Sequence, residues 1–222
     1  QVEAALFAFK SPLSKGAILA DEVGLGKTIE AGIILSEMWA ENKRNILIVV
    51  PASLRNQWNI ELMEKFYLPS FILDSESFEE GKVQMSNGEK SIYICSYNFA
   101  VTNAEYFKNI NWDLIVLDEA HKLRNVYKKS NVMANTLRAA FRNYKKVLLT
   151  ATPLQNNLKE LYGLISIIDP EFFSSLDTFA DQYNSVTTRD KAKFGELKGR
   201  LAHIIHRTLR NQVEEYVNFT KR

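Results

Sequence analysis

The sequence predicts an α/β domain, a mostly parallel sheet packed between helices, with a helical extension at its C-terminal end. Three observations carry that reading. Five short apolar runs lack polar alternation, helix-period stripes lie between them, and a glycine-rich loop joins the first run to the first stripe.

The runs are GAILA at residues 16–20, ILIVV at 46–50, SIYIC at 91–95, LIVLD at 114–118 and KVLLT at 146–150. A strand covered on both faces has no solvent side to mark with polar residues, which is the habit of parallel sheets. After Thr28, the apolar residues Ile29, Ile33, Leu35, Met38 and Trp39 follow a helical stripe. After Pro51, Leu54, Trp58, Leu62 and Phe66 recur every fourth residue, so Trp58 is expected in the core. Residues 74–90 are polar and acidic with two glycines and read as a surface excursion. Beyond Asp169-Pro170 no further strand run follows, and residues 171–222 are expected to be helical. His203 and His206 then fall three apart on a helix, with no Cys or further His nearby to complete a metal site.

With 222 residues, 46% of them hydrophobic and 24% charged, the chain suffices for one sizeable globular domain. Its 28 Lys and Arg against 26 Asp and Glu leave a net charge of only +2, so any nucleic-acid face must be a local patch. Arg138, Arg142, Lys145 and Lys146 form either such a basic edge or a solvated helix face. The single cysteine, Cys95, excludes an intrachain disulfide and reads as a buried strand thiol. No apolar stretch reaches the ~18 residues of a membrane span, and no signal pattern opens the chain. A cytoplasmic protein without a membrane partner is expected. Beginning at Gln1 and ending in a polar segment, it reads as part of something longer.

Directly after the first run comes DEVGLGKT, residues 21–28. Strand, glycine loop and helix start form the setting of a phosphate-binding loop. Gly24 and Gly26 permit the tight turn that aims successive N–H groups at one anion, and the helix N-terminus adds its positive end. Lys27 would reach the β and γ phosphates of ATP, and the Thr28 hydroxyl would ligate Mg2+. Asp21 departs from the generic Gly-x-x-x-x-Gly-Lys-Ser/Thr pattern. Farther on, LIVLDEAH ends a buried strand in Asp118-Glu119-Ala120-His121. Carboxylates at the carboxyl end of a parallel strand border the crevice where α/β sheets bind ligands. Asp118 is suited to hold the metal through water and Glu119 to polarise the attacking water.

Taken together, LADEVGLGKT, LIVVPASLRNQW, DLIVLDEAHKLRN and LLTATPLQNNLKELYGLISIIDP resemble motifs I, Ia, II and III of the Swi/Snf-type ATPases of helicase superfamily two, in their bacterial form. Asp21 is normal for that family. The resemblance implies a RecA-like P-loop NTPase lobe over residues 1–222, the first of two, with residues 171–222 leading to a second lobe that supplies arginine fingers. It implies an ATP site of Gln1, Asp21, Glu22, Val23, Gly24, Leu25, Gly26, Lys27 and Thr28, with Thr28 and Asp118 on Mg2+. It assigns coupling to Thr150, Thr152, Gln155 and Asn156. Backbone contacts to double-stranded DNA would come from Ser53, Arg55 and Gln57, from Ser96 and Tyr97, and from Lys122, Arg124 and Asn125. In HRTLRNQV, His206 and Gln212 stand where the family has an arginine and an acidic residue. The implied activity is ATP-dependent translocation on duplex DNA that remodels a DNA-bound protein complex. An RNA or single-strand helicase lobe and an ATP-gated binding switch are the rival readings, and TPLQNN speaks against the first of these.

Overall fold

A computed structural model describes residues 2–10, 15–21, 26–153, 158–183 and 191–206. Gln1, residues 22–25 of the glycine loop, and Gln155 and Asn156 lie outside the described residues, as do Arg207 and everything after it.

The chain opens with helix α1 (Val2–Lys10), then strand β1 (Gly16–Leu19), α2 (Lys27–Ala40), β2 (Ile46–Val50) and α3 (Arg55–Phe66). It continues through β3 (Ser70–Leu73), α4 (Phe78–Ser86), β4 (Ile92–Ser96), α5 (Tyr97–Thr102), α6 (Ala104–Lys108) and β5 (Leu114–Asp118). Then come α7 (Val132–Ala140), β6 (Lys146–Leu149), α8 (Leu158–Ile168), α9 (Leu176–Tyr183), α10 (Lys191–Leu201) and β7 (Ile205–His206). Among the described residues the strands form one seven-stranded sheet in the order β3-β4-β2-β5-β6-β1-β7. Every pairing is parallel.

All five strands expected from apolar runs are present, and their lack of alternation has a direct cause. Ile18, Leu47, Val49, Ile115, Leu117 and Leu148 face one core layer, beneath helices α5 to α9. Their neighbours Leu19, Ile46, Ile48, Val116, Val147 and Leu149 face the other, beneath α1, α2 and α3. Both faces are dry, so both sets are apolar. In α2 the expected Leu35 and Met38 are buried together with Ala31 and Ile34, while Ile29, Ile33 and Trp39 are only partly buried.

Two strands and a helix were not expected. β3 is four residues at the sheet edge, three of them only partly buried, so its run is too short and too mixed to stand out. Within the presumed excursion, α4 begins with Glu79 and Glu80 in its first turn, where carboxylates favour the helix dipole. The C-terminal region is not helical throughout: Ile205 and His206 pair in parallel with Ile18 and Leu19. His206 is therefore on a strand and His203 in the preceding turn, not on one helix face. Two-residue strands carry no periodicity for a sequence pattern to reveal.

Lys146 is on neither a basic edge nor a solvated helix face, because it is fully buried. Its Nζ donates to the carbonyl oxygens of Phe141 (2.7 Å) and Tyr144 (2.6 Å), closing the C-terminal end of α7. Burial pushes its pKa down to about 8. Among the described residues no helix is long and apolar enough to cross a membrane.

Candidate functional site

The strand order brings the motif residues to one edge. β5 and β6 lie between β1 and β2, so the carboxyl ends of β4, β2, β5, β6 and β1 stand side by side. Those ends carry Ser96, Pro51, Asp118, Thr150 and Asp21.

On the β1 side, Asp21 is buried and Gly26 has φ 90°, a left-handed turn that glycine makes without strain. α2 then starts at Lys27, and among the described residues no side chain caps its first turn. Lys27 Nζ donates to the Asp21 backbone carbonyl at 3.0 Å. An ammonium resting on one carbonyl beside an uncapped helix start is an arrangement that an anion would complete. Glu30, one turn into α2, is wholly buried, and neither of its carboxyl oxygens has a hydrogen-bond partner among the described residues. Burial and the adjacent Asp21 carboxyl push its pKa up to about 8, so it holds a proton at neutral pH. His206 Nδ1 lies 3.7 Å from Asp21 Oδ1.

On the β5 side, Asp118 is 7% exposed and fully organised. Its Oδ2 accepts from Trp58 Nε1 at 2.9 Å and its Oδ1 from the Glu119 backbone N–H at 2.8 Å. Its backbone carbonyl accepts from the Tyr97 hydroxyl at 2.7 Å. Burial pushes the carboxyl pKa up, while the donors Trp58 and Glu119, and the nearby Lys27, pull against it. Two donors leave about two of the carboxylate's roughly four lone-pair sites open. A hard cation that keeps most of its waters needs no more than this from the protein, so Thr28 and Asp118 fit a phosphate-borne Mg2+. Glu119 adopts the left-handed region, φ 51° and ψ 44°, and its Oε2 is 3.0 Å from His121 Nδ1. That backbone twist turns its side chain away from the strand direction, next to the histidine.

Among the remaining predicted residues, Thr150 is buried and its Oγ1 accepts from the Thr152 N–H at 3.2 Å. Ser53 and Gln57 are exposed, and Arg55 is half-buried with its guanidinium 3.5 Å from Asp74. Ser96 caps α5 by accepting from the Phe99 N–H. Arg55 and Ser96 line one open groove of about 400 Å³, which also contains Asp74 and Glu76. Lys122 is exposed. Arg124 lies 3.7 Å from the Glu160 carboxylate on α8, and Asn125 accepts from the Tyr127 hydroxyl. α8 approaches so closely there that a Cβ on Gly163 would stand 1.9 Å from the Arg124 carbonyl. Tyr97 is a correction. Its side chain is buried with the hydroxyl on Asp118, so it has no surface to present to a duplex.

Trp58 is in the core as expected, but the expectation missed its polar bond. The signal was available, because a buried indole N–H requires an acceptor. What lacked any sequence mark was that the acceptor would be Asp118, 60 residues away. Glu30 was likewise passed over, since one acidic residue in a helix reads as solvated.

The fold and this edge define a member of a family: the chain belongs to the SNF2-related domains, whose family model matches residues 4–221. It is 40% identical over 172 residues to the uncharacterized ATP-dependent helicase YqhH of Bacillus subtilis (strain 168), a match covering 75% of this chain and 28% of that protein. It is 34% identical over 197 residues to the RNA polymerase-associated protein RapA of Pectobacterium carotovorum subsp. carotovorum (strain PC1), covering 81% and 20% respectively. The chain thus spans less than a third of the length of these relatives. Among solved structures, the Sulfolobus solfataricus SWI2/SNF2 ATPase core in complex with dsDNA is similar with a TM-score of 0.75. That likeness covers 94% of this chain and 43% of the other at 22% identity, and is one of fold.

Proposed function

We propose that residues 1–222 form the N-terminal ATP-binding lobe of an ATP-dependent double-stranded DNA translocase, one that remodels protein–nucleic acid complexes. The observation that carries this reading is the shared sheet edge of Lys27 and Asp118. They come from strand–loop units some ninety residues apart, yet the strand order sets the carboxyl ends of β1 and β5 on one edge, with only β6 between them. The family and the relatives named for helicase activity support it, as does the likeness to a core bound to dsDNA.

In this reading the 21–28 loop and the α2 N-terminus bind the ATP phosphates, with Lys27 moving from the Asp21 carbonyl to the phosphate oxygens. Thr28 and Asp118 hold Mg2+, which when bound neutralises charge on the β and γ oxygens. Glu119 orients the attacking water and accepts its proton. Gln1 reads the adenine, and Thr150, Thr152, Gln155 and Asn156 relay the state of the site to the rest of the motor. Ser53, Arg55, Gln57, Ser96, Lys122, Arg124 and Asn125 hold the phosphate backbone of the duplex, which fixes register without reading sequence. A second lobe in the remainder of the protein supplies the arginine finger, worth about a thousandfold to a hundred-thousandfold in turnover in related phosphoryl transfer.

The test is ATP turnover by the full-length protein against duplex length. Turnover rising with length and then levelling off is the expected result. Turnover independent of length would mark an ATP-gated switch instead, and stimulation by single strands alone would favour the RNA or single-strand reading.

A further inference from the structure

Asp118 is gripped by two elements that begin at the proposed duplex surface. α3 starts there with half-buried Arg55 and exposed Gln57, and the next residue, Trp58, turns inward to 2% exposure and donates to Asp118 Oδ2. The end of β4 repeats the arrangement. Ser96 lies at the surface groove, and the next residue, Tyr97, turns inward to 4% exposure and donates to the Asp118 carbonyl. In each case the outward and inward residues are chain neighbours, so neither can shift without carrying the other.

The chemistry of the inward residues is more specific than packing demands. Phenylalanine at position 97 would fill nearly the same volume without a polar group to satisfy, and at position 58 packing alone would ask for no N–H. Instead, an indole N–H meets a carboxylate, the stronger, charge-assisted kind of hydrogen bond, and burial keeps the Tyr97 hydroxyl protonated as a donor. Hydrogen bonds weaken steeply with distance and angle, so a small displacement of α3 or β4 changes how the carboxylate is held.

We propose that Trp58 and Tyr97 are positioning residues that transmit duplex engagement to the Asp118 carboxylate, so that the duplex sets the affinity of the site for Mg-bound nucleotide. This rests on the lobe reading above. Trp58 acts on the carboxylate itself and Tyr97 on its backbone, so Trp58 carries the larger share. Linkage is reciprocal, so bound nucleotide changes duplex affinity by the same factor.

The experiment measures a ratio that a merely structural role would not move. In the full-length protein, affinity for a Mg-bound non-hydrolysable ATP analogue is determined by calorimetry with and without a saturating duplex. The wild-type protein is expected to show a duplex effect of about fivefold or more. Trp58→Phe is expected to cut that factor to below about twofold, with Tyr97→Phe intermediate. Duplex affinity without nucleotide, and nucleotide affinity in chelator without Mg2+, should stay near wild-type values in both variants. An undiminished factor in both variants overturns the proposal. So does a uniform fall of every affinity with the ratio kept, which would mean that the two residues only support the fold. If Trp58→Phe fails to fold, Tyr97→Phe decides by the same criteria. A wild-type protein with no duplex effect on nucleotide affinity also overturns the proposal, while the translocase reading stands or falls separately on turnover against duplex length.

Discussion

Three carboxyl groups are buried at the same sheet edge, and two of them, Asp118 and Glu30, are kept in opposite ways. Asp118, at the end of β5, has a hydrogen-bond donor on each oxygen and a third on its carbonyl. Glu30, beside the end of β1, has no hydrogen-bond partner on either oxygen among the described residues, and its pKa rises to about 8. Desolvation disfavours both charges and raises both pKa values, and the neighbours set how far. N–H donors aimed at Asp118 pull against the rise, whereas Asp21 beside Glu30 adds to it. The edge thus keeps a carboxyl held by donors on one side and a neutral acid on the other. The Lys27 charge opposes the rise of both pKa values. Substitutions at and beside these carboxylates test whether the contrast matters.

Glu119→Gln carries the largest expected effect, because it removes the proton acceptor next to the donor-held carboxyl and leaves the Asp118 hydrogen bonds alone. General-base loss typically costs about a hundredfold to ten-thousandfold. Single-turnover kinetics of the full-length protein should reveal such a loss with ATP binding nearly unchanged. Turnover near wild type would take Glu119 out of the chemistry.

Lys27→Ala removes the cation common to both sides. Charge-assisted hydrogen bonds are worth roughly 1.5–3 kcal/mol, so nucleotide affinity should fall about tenfold to a hundredfold. The fold should persist, since among the described residues the Lys27 amine donates to the Asp21 carbonyl alone. Calorimetry with circular dichroism checks both parts, and an unchanged affinity would separate Lys27 from the phosphate site.

Glu30→Gln tests the neutral side. Glu30 keeps its proton in the folded chain up to about pH 8, whereas the unfolded chain releases it near the ordinary value of 4.5. The folded state therefore binds more protons across that window, and stability falls as pH rises through it, by at most about 1.4 kcal/mol per pH unit. Glutamine cannot ionise. The variant should lose this part of the slope in denaturant melts between pH 5 and pH 8, and exceed wild type at the alkaline end. Identical slopes would mean that Glu30 is ionised in the fold.

The uneven legibility of the molecule follows from range. The interior strands β1, β2, β4, β5 and β6 announce themselves because helices cover both faces, leaving unbroken apolar runs. Edge pieces do not: β3 is part-exposed, and β7 is two residues whose partner lies at Ile18 and Leu19. Among site residues, Asp118 and Lys27 were readable because each closes or opens an element with a distinctive local pattern. Tyr97 was assigned to the duplex surface by the resemblance alone, yet its ring turns inward. Lys146 was assigned to a basic cluster, yet three carbonyls, those of Phe141, Arg142 and Tyr144, draw its amine inside.

By itself the sequence determined the interior strands, the helices after the glycine loop and after Pro51, and the identity and order of the motif residues. Each of these is written in a backbone period or a contiguous motif, and such signals need only near neighbours. Tertiary structure alone decided that the ends of β1 and β5 share an edge, since that depends on β2 crossing over to the far side of β5 and β6. It also decided the partners of the buried polar groups: Trp58 for the Asp118 carboxyl and Tyr97 for its carbonyl. A hydrogen bond's partner is set by which strands lie side by side, and strand order is a property of the packed chain, where burial makes each unsatisfied donor or acceptor costly and so selects among arrangements.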